Sequence, residues 1–431
     1  MVYRLYDLIL CCAALVLVPY YLLRGVRYGK TRRGIRERLG SYAKGFTEQL
    51  RDRQVIWVHA VSVGETRAVA PLLRSLRERY PQACLLLSNV TETGREVALN
   101  VPEADHCIFF PFDLSWVVRR VLKRIRPSII ILMETEIWPN FIHAAKLHGI
   151  PVVVVNGRIS DRSLKRYFMA GSLLKPVLAG ITRFCMQTAQ DARRIRLLGA
   201  RPEQIMVSGN LKFDMPEPVV ASRSRDELLQ SFQLPDDSLI WVAGSTHAGE
   251  EVLLAEVYRQ LRELHPRLFL VLVPRRPERI RQVAEDLGRL GLHHLLRSTI
   301  AEARQKLQPG EVLLVDTVGE MLTFYAMADI VFVGGSLVPV GGHNVLEAAL
   351  LSKPVIYGPH MQNFKEIAGL MRKAQGGLSV ADRDDLYHQV RLLIENPAER
   401  QRIGENGYNL LLQNRGATAR TMAVINGHLQ N

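Results

Sequence analysis

At 431 residues the chain is too long for one ordinary hydrophobic core, and 48% hydrophobic against 23% charged residues excludes an extended disordered protein. Length favours two globular domains of roughly 200 residues each. A net charge of +14 calls for an anionic partner, while five cysteines (Cys11, Cys12, Cys84, Cys107, Cys185) with no CxxC pair argue against a disulfide framework and against structural zinc.

The chain opens on Leu8–Leu23, an uncharged run flanked by Tyr3, Tyr6, Tyr20 and Tyr21. Seven basic residues and one acid, Glu37, follow between Arg24 and Arg38. Extended back to Tyr3, the run reaches the ~20 residues a membrane span needs. Charge after the apolar run, and no small-x-small site, weaken a signal-peptide reading. A spanning anchor and a segment lying in one leaflet both stay open, with Pro19 as a possible kink. Positive charge on the C-terminal flank places the rest of the chain in the cytoplasm. Residues 1–24 are therefore expected to be an inner-membrane anchor, and 25–50 a basic juxtamembrane linker facing anionic lipids. Nucleic acid is not the expected partner, because the basic residues adjoin an apolar segment and lack interleaved aromatics that stack on bases.

From Val55 onward short apolar runs alternate with helical periodicity. Val55–His59 reads as strand, Glu65–Tyr80 as helix, Cys84–Ser88 as strand and Thr93–Leu99 as helix. Ser128–Met133 is a buried strand, Trp138–His148 a helix, Val152–Asn156 a strand and Ser163–Leu178 a helix. Arg183–Gln187 and Ile205–Ser208 close the first set. Asp214–Val220, with two prolines, reads as a linker. The alternation then restarts with Leu239–Ala243, Glu250–His265, Leu268–Val273, Pro277–Leu290, Val312–Val315, Met321–Ala326, Ile330–Val333, Val345–Leu351, Pro354–Tyr357 and Phe364–Lys373, before a helical tail from Asp382. Continuous β-branched runs between helices imply parallel sheet covered on both faces. The expected architecture is α/β: two Rossmann-like, doubly wound domains, 51–213 and 225–431, joined by a 214–224 linker and facing a cleft. The anchor, lying before the first strand, is expected to add nothing to the first core.

Polar residues concentrate just after strands, where such sheets bind ligands. His59–Glu65 (HAVSVGE) carries two open readings. Ser62 and Glu65 fit the S-x-x-E capping box; alternatively Glu65 is a general base, with Gly64 permitting close approach of substrate. In Met133–Asn140 (METEIWPN), Glu134 and Glu136 follow an apolar strand, and helix-end charge or a functional role suits them equally. Lys212, in Gly209–Asp214, is an ordinary solvated lysine or a fixed positive charge at the hinge. Gly244–Glu251 (GSTHAGEE) offers amides and a helix end to an anion, and Val273–Pro277 (VPRRP) places two guanidiniums after a strand, suited to phosphate or carboxylate. Gly334-Gly335-Ser336 and Gly341–Glu347 (GGHNVLE) form a glycine loop opening a helix, with Glu347 suited to ribose hydroxyls. Asp382-Arg383-Asp384 is formally a DxD, but helix-end acids explain it better, so no metal is expected.

Taken together, HAVSVGE, TETG (Thr91–Gly94), METEIWPN, NGRIS (Asn156–Ser160), GNLKFD (Gly209–Asp214), GSTHAGEE, VPRRPER (Val273–Arg279), GGHNVLE and GPHMQNF (Gly358–Phe364) resemble the 3-deoxy-D-manno-octulosonic acid (Kdo) transferase family of lipopolysaccharide biosynthesis. The strings run in family order along nearly the whole chain. Arg276 stands where the family often has histidine, and Val340 replaces a frequent basic residue. The resemblance implies a GT-B glycosyltransferase with CMP-Kdo as donor and a tetra-acylated glucosamine disaccharide bisphosphate, a lipid A precursor, as acceptor. It further implies an inverting reaction without a metal or other cofactor. Glu65 would then be the catalytic base. Lys212, Ser245, Thr246, Pro274, Arg275, Gly342, His343, Asn344 and Glu347 would hold the donor, while Ser62, Gly64, Glu134, Glu136 and Trp138 would shape the acceptor side. A GT-B enzyme using a UDP-sugar and a non-catalytic lipid-binding protein are the rival readings.

Overall fold

The computed structural model describes residues 3, 6–12, 34–169, 171, 174–216, 220, 223–232, 234–235, 237–303 and 306–429. The chain divides into two compact units, Met1–Met215 with Asn414–Asn431, and Pro216–Gln413.

The first unit holds seven strands: β1 (Val55–His59), β2 (Cys84–Asn89), β3 (His106–Phe109), β4 (Ile129–Met133), β5 (Val152–Gly157), β6 (Arg183–Met186) and β7 (Ile205–Val207). All pair in parallel, in the order β3-β2-β1-β4-β5-β6-β7. Every residue of β1, β2, β4 and β5 is buried. Successive side chains feed opposite faces: Val55 and Trp57 join Leu86, Ile130 and Phe141, while Ile56 and Val58 join Leu85, Ile131 and Leu72. Two buried faces are why these strands read as unbroken apolar runs.

The expected helix over Ser163–Leu178 is instead two, Asp161–Met169 and Leu174–Leu178. The last helix, Ala417–Leu429, lies with the first unit, although its sequence follows the second. Ala417, Met422 and Ile425 pack into the cluster containing Leu72, and the Tyr80 hydroxyl donates to Asn426 Oδ1 at 2.8 Å. Asp214 ties this return down by accepting from Gly416 N and Thr418 N. The second expected domain, 225–431, therefore loses its final helix to the first unit.

Two expectations for the N-terminus are corrected over its described part. Residues 13–33, most of the apolar run and of the basic collar, lie outside the described residues, and no described helix is long and apolar enough to cross a membrane. The segment before them packs on the first unit. Tyr3 stacks on His143 with centroids 3.8 Å apart, and Asp7 Oδ1 accepts from Ser115 N at 3.1 Å and from Asn140 Nδ2 at 2.7 Å. Tyr6 donates to Asp113, whose buried carboxyl also accepts from Asn140 N and Phe141 N. Burial pushes the Asp113 carboxyl up to about 7, the three hydrogen bonds pull it down, and Asp7 adds to the rise. Residues 34–50 are likewise no free linker. Glu37 pairs with Arg95 at 2.6 Å and accepts from Phe109 N, covering the β3 edge, while the Arg38 guanidinium lies 4.4 Å from the Phe109 ring centroid.

The second unit repeats the plan with β8 (Leu239–Thr246), β9 (Leu268–Pro274), β10 (His294–Leu296), β11 (Val312–Leu314), β12 (Ile330–Val333), β13 (Val355–Tyr357) and β14 (Gly377–Ser379). Their order is β10-β11-β9-β8-β12-β13-β14, again all parallel. The helices Glu250–Leu264 and Arg383–Glu395 bury Leu254, Tyr258, Leu261, Leu386 and Val390 against it.

Candidate functional site

In the first unit the chemistry collects at the carboxyl ends of β1 and β4, which are hydrogen-bonded neighbours. Glu65 stands in the first turn of helix Val63–Arg79. Its Oε2 accepts from Val61 N at 2.8 Å, and its Oε1 accepts from the Ser62 hydroxyl at 3.0 Å. This is not the capping box: Ser62 occupies the N-cap position but makes no side-chain cap hydrogen bond, and gives its proton to the carboxylate instead. Burial pushes Glu65 up to about 7; the bond from Val61 pulls it down, and the charges of Glu134 and Glu136 push it up again. Glu136 is likewise pushed up to about 7 by burial and by Glu134. Three carboxyl groups thus share one half-buried region, a costly arrangement for packing alone.

Glu134 adopts φ of 55°, the left-handed region a non-glycine side chain enters at a cost of about 1–2 kcal/mol. Its loop is pinned from behind: Arg158 N donates to Thr135 Oγ1, and the Tyr167 hydroxyl donates to Thr135 O at 3.0 Å. Trp138 takes a different place from the carboxylates. Its ring packs 5.3 Å from Phe110 and 6.5 Å from His59, and its indole nitrogen is buried. It therefore supports the loop from the core side. At Gly64 an added Cβ would meet nothing nearer than Ser62 Oγ at 3.9 Å, so packing alone does not demand glycine there.

Lys212 also belongs to the first unit, whereas the other expected donor residues belong to the second. It sits on the turn Leu211–Phe213, whose amides are held by Asn210 Oδ1 and Asn156 Oδ1.

The second unit brings its candidates together at the ends of β8, β9 and β12, three adjacent strands. Ser245 has φ of 56° where the β8–β9 register shifts, and Arg275 N donates to Thr246 O at 3.0 Å, which places Pro274 and Arg275 beside that turn. The Thr246 hydroxyl is buried. Asn344 Oδ1 accepts from Leu346 N and its amide donates to Glu347 Oε1 at 3.3 Å, fixing the start of helix Leu346–Leu350. His343 Nε2 lies 2.9 Å from His247 Nε2.

The glycine loop has an organiser that sequence reasoning passed over. Glu250 is fully buried, and its carboxylate accepts from four backbone amides: Gly335 at 2.6 Å, and Ser336, Leu337 and His247 at 2.9 Å each. Glu251 beside it pairs with Arg279 at 2.6 Å. The glycines are shaped by this packing as well. Gly342 has φ of 74°, and a Cβ there would lie 2.3 Å from Met361 Sδ, so its place is already filled by protein. Asp382 accepts from Asp384 N and Asp385 N at 3.0 Å each, making the DxD a helix cap. Asp113 was also missed, and Asn140 entered only as the last residue of METEIWPN; only the fold brings Asp7 to them.

A family model described as 3-Deoxy-D-manno-octulosonic-acid transferase (kdotransferase) matches residues 33–215. The 3-deoxy-D-manno-octulosonic acid transferase of Haemophilus influenzae is 35% identical over 431 residues, 98% of each chain. That of Bordetella pertussis is 35% identical over 383 residues, 86% of each. Among solved structures, a glycosyltransferase from Rickettsia africae (TM-score 0.57, 14% identity, 88% of this chain and 100% of that one) shares the fold. So does the UDP-GlcNAc 2-epimerase from Neisseria meningitidis (TM-score 0.56, 15% identity, 88% and 100%). With 35% identity running through both seven-stranded units, the chain belongs to the 3-deoxy-D-manno-octulosonic acid transferase family of glycosyltransferases.

Proposed function

We propose that this enzyme transfers Kdo from CMP-Kdo to a tetra-acylated glucosamine disaccharide bisphosphate, with inversion and without a metal, and that Glu65 is its base. The observation that carries this reading is the Glu65 carboxyl, held by Val61 N and Ser62 and pushed up to about 7 at the end of β1. A base acts best when its pKa lies near the working pH. Glu65 takes the proton of the acceptor hydroxyl as that oxygen bonds to the anomeric carbon of Kdo. The bond from that carbon to the phosphate oxygen breaks, and CMP departs with the electron pair. In the second unit, Arg275 and the amides at Gly342–Asn344 are assigned to the negative charge of CMP, with Ser245, Pro274 and His343 in the same donor set and Glu347 on the ribose. Glu134 and Glu136 are assigned to the acceptor side, where they also keep Glu65 basic.

The enzyme is proposed to work at the cytoplasmic face of the inner membrane. Support comes from the sequence of the apolar run and basic collar, and from the exposed Leu8 and Ile9 on a helix whose Asp7 is bonded to Ser115, next to exposed Trp116. Incubation of the full chain with CMP-Kdo and the lipid acceptor, followed by product mass analysis, tests the reading. It predicts an acceptor heavier by one or more Kdo residues with release of CMP. Transfer from a UDP-sugar with none from CMP-Kdo would overturn it.

A further inference from the structure

His247 follows β8 and His343 lies in the loop after β12, and the two meet with Nε2 atoms 2.9 Å apart and ring planes 10° from parallel. Two imidazole nitrogens at that distance are held by one hydrogen: one ring donates N–H and the other offers its lone pair. In the neutral pair the accepting ring must therefore carry its own hydrogen on Nδ1, and the donating ring has a bare Nδ1. One further proton can enter there without breaking the bond. A second cannot, because it would set two N–H groups head to head. The pair is thus built to hold either zero or one positive charge.

We propose that His247 and His343 act as a single-proton anion contact, which takes up one proton when the phosphate of the nucleotide donor docks on the glycine loop of the second unit. The inference rests on the donor reading given above and extends it to His247.

The surroundings supply the switch. Burial, together with Arg275, Arg276 and Arg279 on the loop after β9, holds His247 below the ordinary histidine range, while Glu251 opposes them. Glu251 is paired with Arg279, and the Glu250 carboxylate is occupied by four backbone amides, the His247 amide among them. In the segments around His343, Glu347 accepts from Asn344, and the His360 amide donates to Ser336 O. Burial and three guanidiniums therefore disfavour a positive charge on His247. An arriving phosphate offsets that charge and makes the extra proton favourable. Both rings border Gly335: a Cβ there would lie 3.1 Å from His343 Cδ2 and 3.3 Å from His247 Cδ2, so the pair sits directly against the loop.

The test is calorimetric titration of the full-length protein with CMP, in two buffers of different protonation enthalpy at about pH 7.5, where a phosphate monoester is almost fully ionised. The wild type is expected to take up about half to one proton per CMP bound, and to bind roughly three- to tenfold more weakly for each pH unit of increase. A double variant, His247→Gln with His343→Gln, keeps an amide-to-amide hydrogen bond at this position and has no ring left to titrate. It is expected to bind CMP with no proton uptake and little dependence on pH. A double variant that keeps the wild-type proton uptake overturns the inference, as does a wild type that binds CMP without uptake; both leave the donor reading standing. Absence of CMP binding to the wild type sinks the donor reading and this inference with it.

Discussion

Replacing Glu65 by glutamine is expected to lower the turnover of Kdo transfer by at least ~100-fold while leaving the fold intact, since loss of a general base typically costs ~10²–10⁴ in rate. Glutamine suits the local hydrogen bonds. Its carbonyl can accept from Val61 N, and the Ser62 hydroxyl, now a donor to the carboxylate, can turn to accept from the new amide. It cannot take a proton. The stability effect has a definite sign. Glu65 and Glu136 are both pushed up to about 7 in the folded chain, so folding favours their protonated forms. What they contribute is fully present below the ordinary carboxylate range and is lost as pH rises through about 7. At pH 8 the wild type therefore carries a penalty on the order of 1–3 kcal/mol for each. Glu65→Gln should melt at or above the wild type at pH 8 and show no such advantage at pH 5. A glutamine variant with near-normal turnover returns Glu65 to a structural part and makes Glu136 the next candidate base.

The second large effect is expected from Glu250→Gln, on stability and not on chemistry. One buried carboxylate accepts four backbone amides, two on each oxygen. A glutamine keeps one acceptor oxygen and turns an NH₂ group toward two N–H donors, which leaves at least two buried amides unsatisfied. Each costs about 1–3 kcal/mol, so a loss of about 2–6 kcal/mol is expected, together with weaker CMP binding as the glycine loop is released. In a unit of this size that corresponds to a fall in Tm of roughly 5–25 °C. A thermal melt within about 1 °C of the wild type would show that the loop holds itself without Glu250.

The legible part of the fold is the part whose physics is local. Val55–His59, Ile129–Met133, Val152–Gly157 and Ile330–Val333 are buried on both faces, and their apolar runs could hardly be anything else. Three edge strands escaped, although Ile205–Val207 at the other edge of the first sheet was read. His106–Phe109 starts with two half-buried residues, His294–Leu296 is half-buried throughout, and Gly377–Ser379 ends exposed, so none shows a continuous apolar signal. The return of Ala417–Leu429 to the first unit escaped for another reason: its apolar face reads as helix in either place, and its anchors, Asp214 and Tyr80, stand some two hundred and more than three hundred residues earlier. At the candidate site, the strand-end strings fall on loops at the carboxyl ends of parallel strands, where polar residues gather. What the strings could not show is partnership. Ser62 gives its proton to Glu65 where a capping box was one expectation. Glu250, one letter of the GSTHAGEE string, drew no reading of its own and is the buried anchor of a loop some eighty-five residues on. The Asp7–Asn140 bond joins segments more than a hundred residues apart, so the first residues read as a segment separate from the domain they touch.

The central claim is that Glu65 works as a base tuned by its acidic neighbours, and the pH dependence of kcat for Kdo transfer tests it most directly. With donor and acceptor saturating, kcat should rise with pH and reach half its plateau near 7, where Glu65 ionises. Glu136→Gln removes one of the charges that push Glu65 up, so its rising limb should move to lower pH while the plateau rate persists. A wild-type limb in the ordinary carboxylate range, or one that stays in place in Glu136→Gln, would contradict the account.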